Sequence, residues 1–207
     1  IYGYVEDGFY DNEAEVRADP RYATASDAVV KKMIGEIKLR SDERQIIGNT
    51  NPNYTFGITN SFEWKNFTFN FFIQGVIGND IFNGNLMSFT LMNYPNIPQS
   101  IYNSRWTENN RENAKWPKPT NMSGRSWQLS DRYVEDGSYI RLKNVNLGYT
   151  FHKPRFCKQI SSIYIYASAT NLLTITDYSW YDPDVNAFGS DPARRGVDIY
   201  SYPTSRT

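Results

Sequence analysis

Two stretches of the chain alternate with period two, the spacing of a strand whose two faces meet different surroundings. From residue 54 to residue 64 the even positions are Tyr54, Phe56, Ile58, Asn60, Phe62 and Trp64, and the odd ones Thr55, Gly57, Thr59, Ser61 and Glu63. After a break at Lys65 and Asn66, the residues Phe67, Phe69, Phe71 and Ile73 alternate with Thr68, Asn70, Phe72 and Gln74. The two runs predict a hairpin with one strongly aromatic face. A second pair follows the same plan: Val145, Leu147, Tyr149 and Phe151 alternate with Asn144, Asn146, Gly148 and Thr150. Ile140 and Leu142 sit on the opposite phase, which predicts a bulge near Lys143. Past a turn holding His152, Lys153, Pro154 and Cys157, the residues Ile163, Ile165, Ala167 and Ala169 alternate with Tyr164, Tyr166, Ser168 and Thr170. Tyrosine suits either face, so the pattern leaves open which of these two is the apolar one. Helical period is scarce and confined to Asn12 to Ala18 and Ala25 to Ile37, the latter after a Ser26 or Asp27 cap.

Charge narrows what the aromatic face meets. Between Ile46 and Asn79 only Glu63 and Lys65 are charged, both beside the turn, where the chain's 21% average would place about seven. A soluble sheet carries Lys, Glu and Arg on its wet face and edges; here the polar face is Thr, Ser, Asn, Gly and Gln. Strands of about ten residues with an aromatic outer face and an uncharged polar inner face fit a transmembrane β-barrel. A soluble carbohydrate-binding β-sandwich is the alternative, since any half-buried sheet alternates.

Composition agrees with a turn-rich β protein. The 207 residues include 16 Tyr, 12 Phe and 5 Trp, yet mean hydropathy is -0.62 and no apolar run is long enough for a membrane helix. Such aromatic content argues against disorder. Twenty-one Asn with 13 Gly and 10 Pro punctuate the chain. The 22 basic and 22 acidic residues balance, so no global field draws the chain to nucleic acid. One cysteine, Cys157, excludes an internal disulfide framework and a Cys-rich metal site. The chain opens on Ile1-Tyr-Gly-Tyr-Val-Glu-Asp-Gly8, without the basic stretch and apolar core of a signal peptide.

The fold class expected is all-β: about four strands of a large antiparallel transmembrane β-barrel with long extracellular loops. The organisation reads as an extracellular loop region with short helices at 1–53, a barrel hairpin at 54–77, a long extracellular loop at 78–135, a second hairpin at 136–173, and an extracellular loop at 174–207. Short turns at Lys65 and His152 opposite long connections reproduce the asymmetry of outer-membrane barrels. The lipid-facing set is then Tyr54, Phe56, Ile58, Phe62, Trp64, Phe67, Phe69, Phe71, Ile73, Val145, Leu147, Tyr149 and Phe151.

Several strings resemble the C-terminal barrel region of the SusC/RagA family of TonB-dependent outer-membrane transporters. They are Ile46-Ile-Gly-Asn-Thr-Asn-Pro-Asn-Tyr-Thr-Phe-Gly57, Phe72-Ile-Gln-Gly75 with Gly78-Asn-Asp-Ile-Phe82, Asp131 through Tyr149, Asn171 through Tyr178 leading into Tyr181-Asp-Pro-Asp184, and Tyr202-Pro-Thr-Ser-Arg206. The match runs in order along essentially the whole chain. The resemblance implies an importer in the bacterial outer membrane, mostly of oligosaccharides and in some members of peptides. A SusD-like lipoprotein would cap it outside, and TonB would supply energy through an N-terminal plug that this stretch does not include. Four strands cannot close a barrel that in this family needs about twenty-two, so the chain is expected to be roughly the last fifth of a longer protein. Where relatives often carry an Asp, Asn and Gly-rich stretch, Leu39-Arg-Ser-Asp-Glu-Arg44 is short, and no metal site is expected there.

Candidate ligand contacts are the loop aromatics Tyr94, Trp106, Trp116, Trp127, Trp180 and Tyr181, whose ring faces can stack on sugars; packing between loops is the competing role. Asp177, Asp182 and Asp184 could hold Ca²⁺ through oxygens, although Tyr-Asp-Pro-Asp is also what a turn requires. Catalysis has little support, because the only histidine, His152, lies in a short turn and the paired acids, Glu135 with Asp136 and Asp182 with Asp184, sit in turn-forming sequence. No enzyme activity, cofactor or metal is expected.

Overall fold

The computed structural model describes the chain except residues 91–96, 119–127, 154–158, 186, 190 and 192–193. In chain order the elements are β1 (Tyr2–Gly3), β2 (Glu6–Phe9), α1 (Glu13–Ala18), α2 (Asp27–Met33), β3 (Ile37–Leu39), β4 (Gln45–Ile46), β5 (Tyr54–Trp64), β6 (Phe67–Ile77), β7 (Asp80–Asn83), α3 (Gly84–Thr90), α4 (Gln99–Asn103), β8 (Val134–Asp136), β9 (Tyr139–His152), β10 (Ser162–Thr176) and β11 (Val197–Asp198). They fall into two compact units, one of residues 1–49, 82–134 and 197–200, the other of residues 50–81, 135–196 and 201–207.

The first unit is built from short pieces. β1 pairs with β4 and β2 with β3, both antiparallel, and Phe82 and Asn83 of β7 pair in parallel with β11. Helix α1 begins where Asn12 Oδ1 accepts from Glu15 N at 3.0 Å while Glu15 Oε2 accepts from Asp11 N at 3.1 Å, a near-reciprocal cap. Its Val16 packs with Tyr10, Val30 and Met33 into a small core. Helix α2 stops at Met33, short of the Ile37 that periodicity suggested. Gly35 has φ +83° and lies against the Trp106 ring, a close approach that a β-carbon would block, and the chain then enters β3. Beneath α1, Arg21 donates to Asp19 (Nε to Oδ1, 2.7 Å), Asp42 (2.8 Å) and the Leu39 carbonyl (3.1 Å). The hydrogen bond from Arg21 holds the Asp19 carboxyl well below the usual carboxylate range, and burial followed by hydrogen bonding to Asp19 pushes the Tyr10 hydroxyl up.

The second unit is one four-stranded antiparallel sheet in the order β10-β9-β6-β5. Trp64 pairs with Phe67 across the two-residue turn at Lys65 and Asn66, and Lys65 takes the positive φ (+55°) that such a turn needs. Register gives each face its residues, because directly opposed residues point the same way. On one face Phe69 stands between Phe62 and Leu147, Phe67 between Trp64 and Tyr149, and Ile73 between Ile58 and Leu142. Rings meet across the strands, Phe67 and Tyr149 at 4.6 Å and Phe62 and Phe71 at 6.1 Å, and along β9, Tyr149 and Phe151 at 4.5 Å.

The phase change in β9 has the physical cause its sequence suggests. Phe72 pairs with Asn144 and Ile73 with Leu142, leaving Lys143 as an extra residue. This bulge turns Ile140 and Leu142 onto the face of Val145, Leu147 and Tyr149. β10 answers with two residues of its own, Asn171 and Leu172, between Thr170 opposite Asn144 and Leu173 opposite Leu142; Asn171 adopts φ +51°. Register also settles the face the pattern left open. Ile163 pairs with Phe151, Ile165 with Tyr149 and Ala167 with Leu147, so the aliphatic set joins the aromatic face. Tyr164 and Tyr166 lie on the polar face, stacked at 5.7 Å, with Tyr164 laid over Gly148 and its hydroxyl 3.1 Å from Thr68 Oγ1.

The apolar face stays open to its surroundings: Tyr54 is 71% exposed and Trp64 66%, and Phe56, Ile58, Phe62, Phe67, Phe69, Leu147, Phe151, Ile165, Leu173 and Ile175 are exposed too. Phe71, Ile73, Val145 and Tyr149, on the same face, are half-buried among these neighbours. The other face bonds within itself, with Ser61 to Asn70, Lys143 Nζ to Gln74 Oε1 at 2.9 Å and Gln74 Nε2 to the Tyr139 hydroxyl at 3.5 Å. No helix among the described residues is long and apolar enough to cross a membrane.

Candidate ligand-facing site

The loop aromatics separate into different roles. Trp106 is 3% exposed: its Nε1 donates to Asp11 Oδ1 at 2.8 Å, and its backbone N–H donates to the Trp116 carbonyl at 2.6 Å. Trp116 is half-buried with the Arg132 guanidinium 5.4 Å from its ring centre. These two tryptophans hold the first unit together and present little ring area to a ligand. Tyr94 and Trp127 lie outside the described residues, as does Cys157. In the second unit Trp180 and Tyr181 meet edge to face at 5.3 Å, and Tyr181 is 74% exposed. Among the described candidates, Tyr181 alone offers a broad open ring.

Beside Tyr181 the sheet carries a buried ion pair that pattern reading did not find. Arg141, 1% exposed, donates through Nη2 to Asp182 Oδ1, through Nη1 to Thr204 Oγ1 at 3.0 Å and through Nε to Thr174 Oγ1 at 3.0 Å. Asp182 also accepts from the backbone N–H groups of Asp184 and Thr204, each at 2.9 Å, and from the Thr204 hydroxyl. Burial alone would raise the Asp182 carboxyl, but the bonds from Thr204, Asp184 and Arg141 outweigh it and hold the group below its ordinary value. Both oxygens are committed, so Tyr-Asp-Pro-Asp acts as a backbone-bonded turn, and no group of acids with metal-site geometry occurs among the described residues. The sequence signal for Arg141 was a full charge inside an apolar alternation between Ile140 and Leu142. Its partner, 41 residues away, left no local signal.

Two recesses flank Pro183 within this unit. One, of about 340 Å³, is lined by Arg141, Asn171, Thr174, Tyr181, Thr204 and Arg206. The other, of about 240 Å³, is lined on the polar face by Thr55, Val76 and Tyr139 and closed by Asn79, Asp184 and Arg195. The site offers polar binding groups and an aromatic platform.

No family model matches the chain. It is 32% identical to TonB-dependent receptor P3 of Formosa agariphila, over the whole chain and 21% of that protein. It is 25% identical to TonB-dependent receptor SusC of Bacteroides thetaiotaomicron, over 84% of the chain and 16% of the relative. The fold superposes with a TM-score of 0.69 on a chain of the RagAB peptide importer in its open-open state and equally on the closed-closed state, at 21% and 23% identity, covering all of this chain and 21% and 22% of those. The chain thus spans about a fifth of the length of the curated relatives it matches. With an open apolar sheet face, a polar face opposite and these relatives, the chain belongs to the SusC/RagA family of TonB-dependent outer-membrane receptors and forms part of their antiparallel transmembrane β-barrel.

Proposed function

We propose that the chain supplies barrel wall and outer loops to a TonB-dependent importer of oligosaccharides. The observation that carries this reading is the sheet itself: one face aromatic, aliphatic and exposed, the other polar and nearly uncharged. A soluble sandwich would bury the first face against a second sheet; lipid covers it instead, with Tyr54, Phe56, Ile58, Phe62, Trp64, Phe67, Phe69, Phe71, Ile73, Val145, Leu147, Tyr149 and Phe151 in contact with acyl chains. The polar face lines the lumen, and the connections away from the Lys65 and His152 turns face outward. Ligand specificity comes from outward residues such as Tyr181, with Trp180 supporting its ring. A SusD-like lipoprotein closes the outer mouth, and TonB acts through a plug supplied by other parts of the receptor. Import is binding followed by energised opening, without covalent chemistry or a cofactor. Peptides are the second reading, favoured by the likeness to a structure described as a peptide importer.

Deleting the gene for the intact receptor and growing the strain on single glycans or on peptides tests the proposal. Loss of growth on a glycan, restored by the wild-type gene, is the expected result. Unchanged growth on every carbon source, or recovery of the intact protein from the soluble fraction without detergent, overturns it.

A further inference from the structure

The apolar sheet face is not uniform. Toward the end that carries the two short turns it holds a groove of about 300 Å³, lined by Phe67, Leu147, Tyr149, Phe151, Ile165 and Ala167. Register accounts for it: Leu147 opposes Ala167 and Tyr149 opposes Ile165, so the short Ala167 side chain leaves a gap beside larger neighbours. The rings of Phe67, Tyr149 and Phe151 meet in series at 4.6 and 4.5 Å and form an aromatic wall along it. Leu147, Phe151 and Ile165 stand exposed, so the groove is open to whatever covers this face. In a barrel wall that cover is lipid, and an apolar groove there takes part of one acyl chain.

Cations stand at the turn end of this groove. Lys65 is exposed, and its Nζ lies 4.8 Å from the centre of the Trp64 ring, which belongs to the apolar face, so the ammonium sits on the lipid side of the wall. The Asn66 carbonyl accepts from Thr150 N at 2.9 Å, which sets the Lys65 turn beside the last residues of β9; Lys153, also exposed, follows directly after that strand. By strand spacing and rise the two backbones lie on the order of 10 Å apart, a gap that two lysine side chains close on one headgroup. Glu63, the acid of the same turn, opposes Thr68 on the polar face, away from the groove. The Tyr149 hydroxyl accepts from Asn66 Nδ2 at 3.4 Å, at the level where barrel tyrosines and tryptophans meet headgroups. An acyl chain that leaves bulk lipid for the groove exchanges one hydrocarbon for another, so the groove orients the chain with little preference. Headgroup charge then decides which lipid stays, at about fivefold in affinity per lysine beside an anionic lipid.

We propose that the groove and its two lysines form a site for one anionic diacyl phospholipid of the periplasmic leaflet, with an acyl chain along Leu147, Phe151 and Ala167 and the phosphate between Lys65 and Lys153. The leaflet rests on the orientation proposed above; the site itself rests only on the barrel and is independent of the cargo. The test is native mass spectrometry of the intact receptor released from detergent, titrated with phosphatidylglycerol and with phosphatidylcholine of identical acyl chains. Phosphatidylglycerol should be retained at least fivefold more strongly, and the double variant Lys65→Asn with Lys153→Asn should bring the two lipids within twofold of each other. Asparagine tolerates the left-handed backbone of both positions, at φ +55° and +44°, so the turns are kept. Ala167→Leu fills the groove and should weaken both lipids at least threefold. Heat-modifiable electrophoretic mobility reports that each variant is folded. Equal retention of the two lipids by the wild type, or a preference that survives both lysine substitutions, overturns the site. Retention of phosphatidylglycerol unmoved by Ala167→Leu overturns the groove as its acyl seat. A lipid-free dimer that Ala167→Leu dissociates assigns the groove to a second copy and overturns it as well. None of these results touches the importer reading, which growth on the cargo tests separately.

Discussion

Replacing Arg141 by methionine keeps most of the side chain's bulk and removes its charge from a place where charge is nearly sealed from water, at 1% side-chain exposure against 7% for Asp182. Asp182 would keep the two backbone N–H donors and the Thr204 hydroxyl but lose its only cation in direct hydrogen bonding. Breaking one side of a buried pair costs about 3–5 kcal/mol; with three neutral donors remaining, about 3 kcal/mol is the figure to expect. Surface pairs are worth about 0–1 kcal/mol, so the two situations are easily told apart. The cost should appear locally, because Asp182 is what ties residues 182–184 and Thr204 to β9. Hydrogen exchange of the intact receptor should therefore accelerate about a hundredfold at the Asp184 and Thr204 amides, at roughly tenfold per 1.36 kcal/mol. β5, remote in the sheet order, should change little. The double variant Arg141→Met with Asp182→Leu should recover much of the protection, since it leaves no buried charge unpaired. Acceleration of less than about fivefold in the single variant, or a double variant as open as the sum of its parts, would refute the idea that a desolvated ion pair holds this turn.

Acidification should act on the same bonds and on the Asp19 network. The folded carboxyls of Asp182 and Asp19 titrate below their unfolded values, so their stabilisation is present above about pH 4 and fades as pH falls below it; exchange protection at both sites measured between pH 7 and pH 3 should drop only at the acid end. Gly148→Val sets a branched side chain into the Tyr164 ring and should displace the Tyr164 hydroxyl from Thr68, lowering melting temperature while leaving the apolar face intact. Trp106→Ala should destabilise the first unit by about 3–5 kcal/mol, seen as protease nicking within residues 1–49 or 82–134, whereas Tyr181→Ala should leave protease resistance unchanged and weaken ligand binding. Deleting Lys143 removes the one extra residue of β9 and lets Leu142 follow Asn144 in regular alternation, so Ile140 and Leu142 stay on the apolar face opposite Gly75 and Ile73; the receptor should still reach its heat-modifiable folded form, and failure to do so would refute this register.

Alternation along the chain determined the strands, their pairing into two hairpins and the composition of each face, down to the bulge at Lys143. The reason is geometric: with a side-chain period of two, each residue's face follows from its immediate neighbours, and scarcity of charge over Ile46 to Asn79 is equally a local property. The two faces of β10 were undecidable from its own residues and became definite only through register with β9, which opposes Ile165 to Tyr149 and Tyr166 to Gly148. The site depended still more on tertiary structure. Trp106 and Tyr181 are both loop aromatics in the sequence, yet one is sealed against Asp11 and Gly35 and the other stands open. The meeting of Arg141 with Asp182, and of Asn79 with Asp184 and Arg195, joins residues from separate loops and strands. Where a long connection returns depends on packing that no short window of sequence contains, so these juxtapositions exist only once the chain is folded.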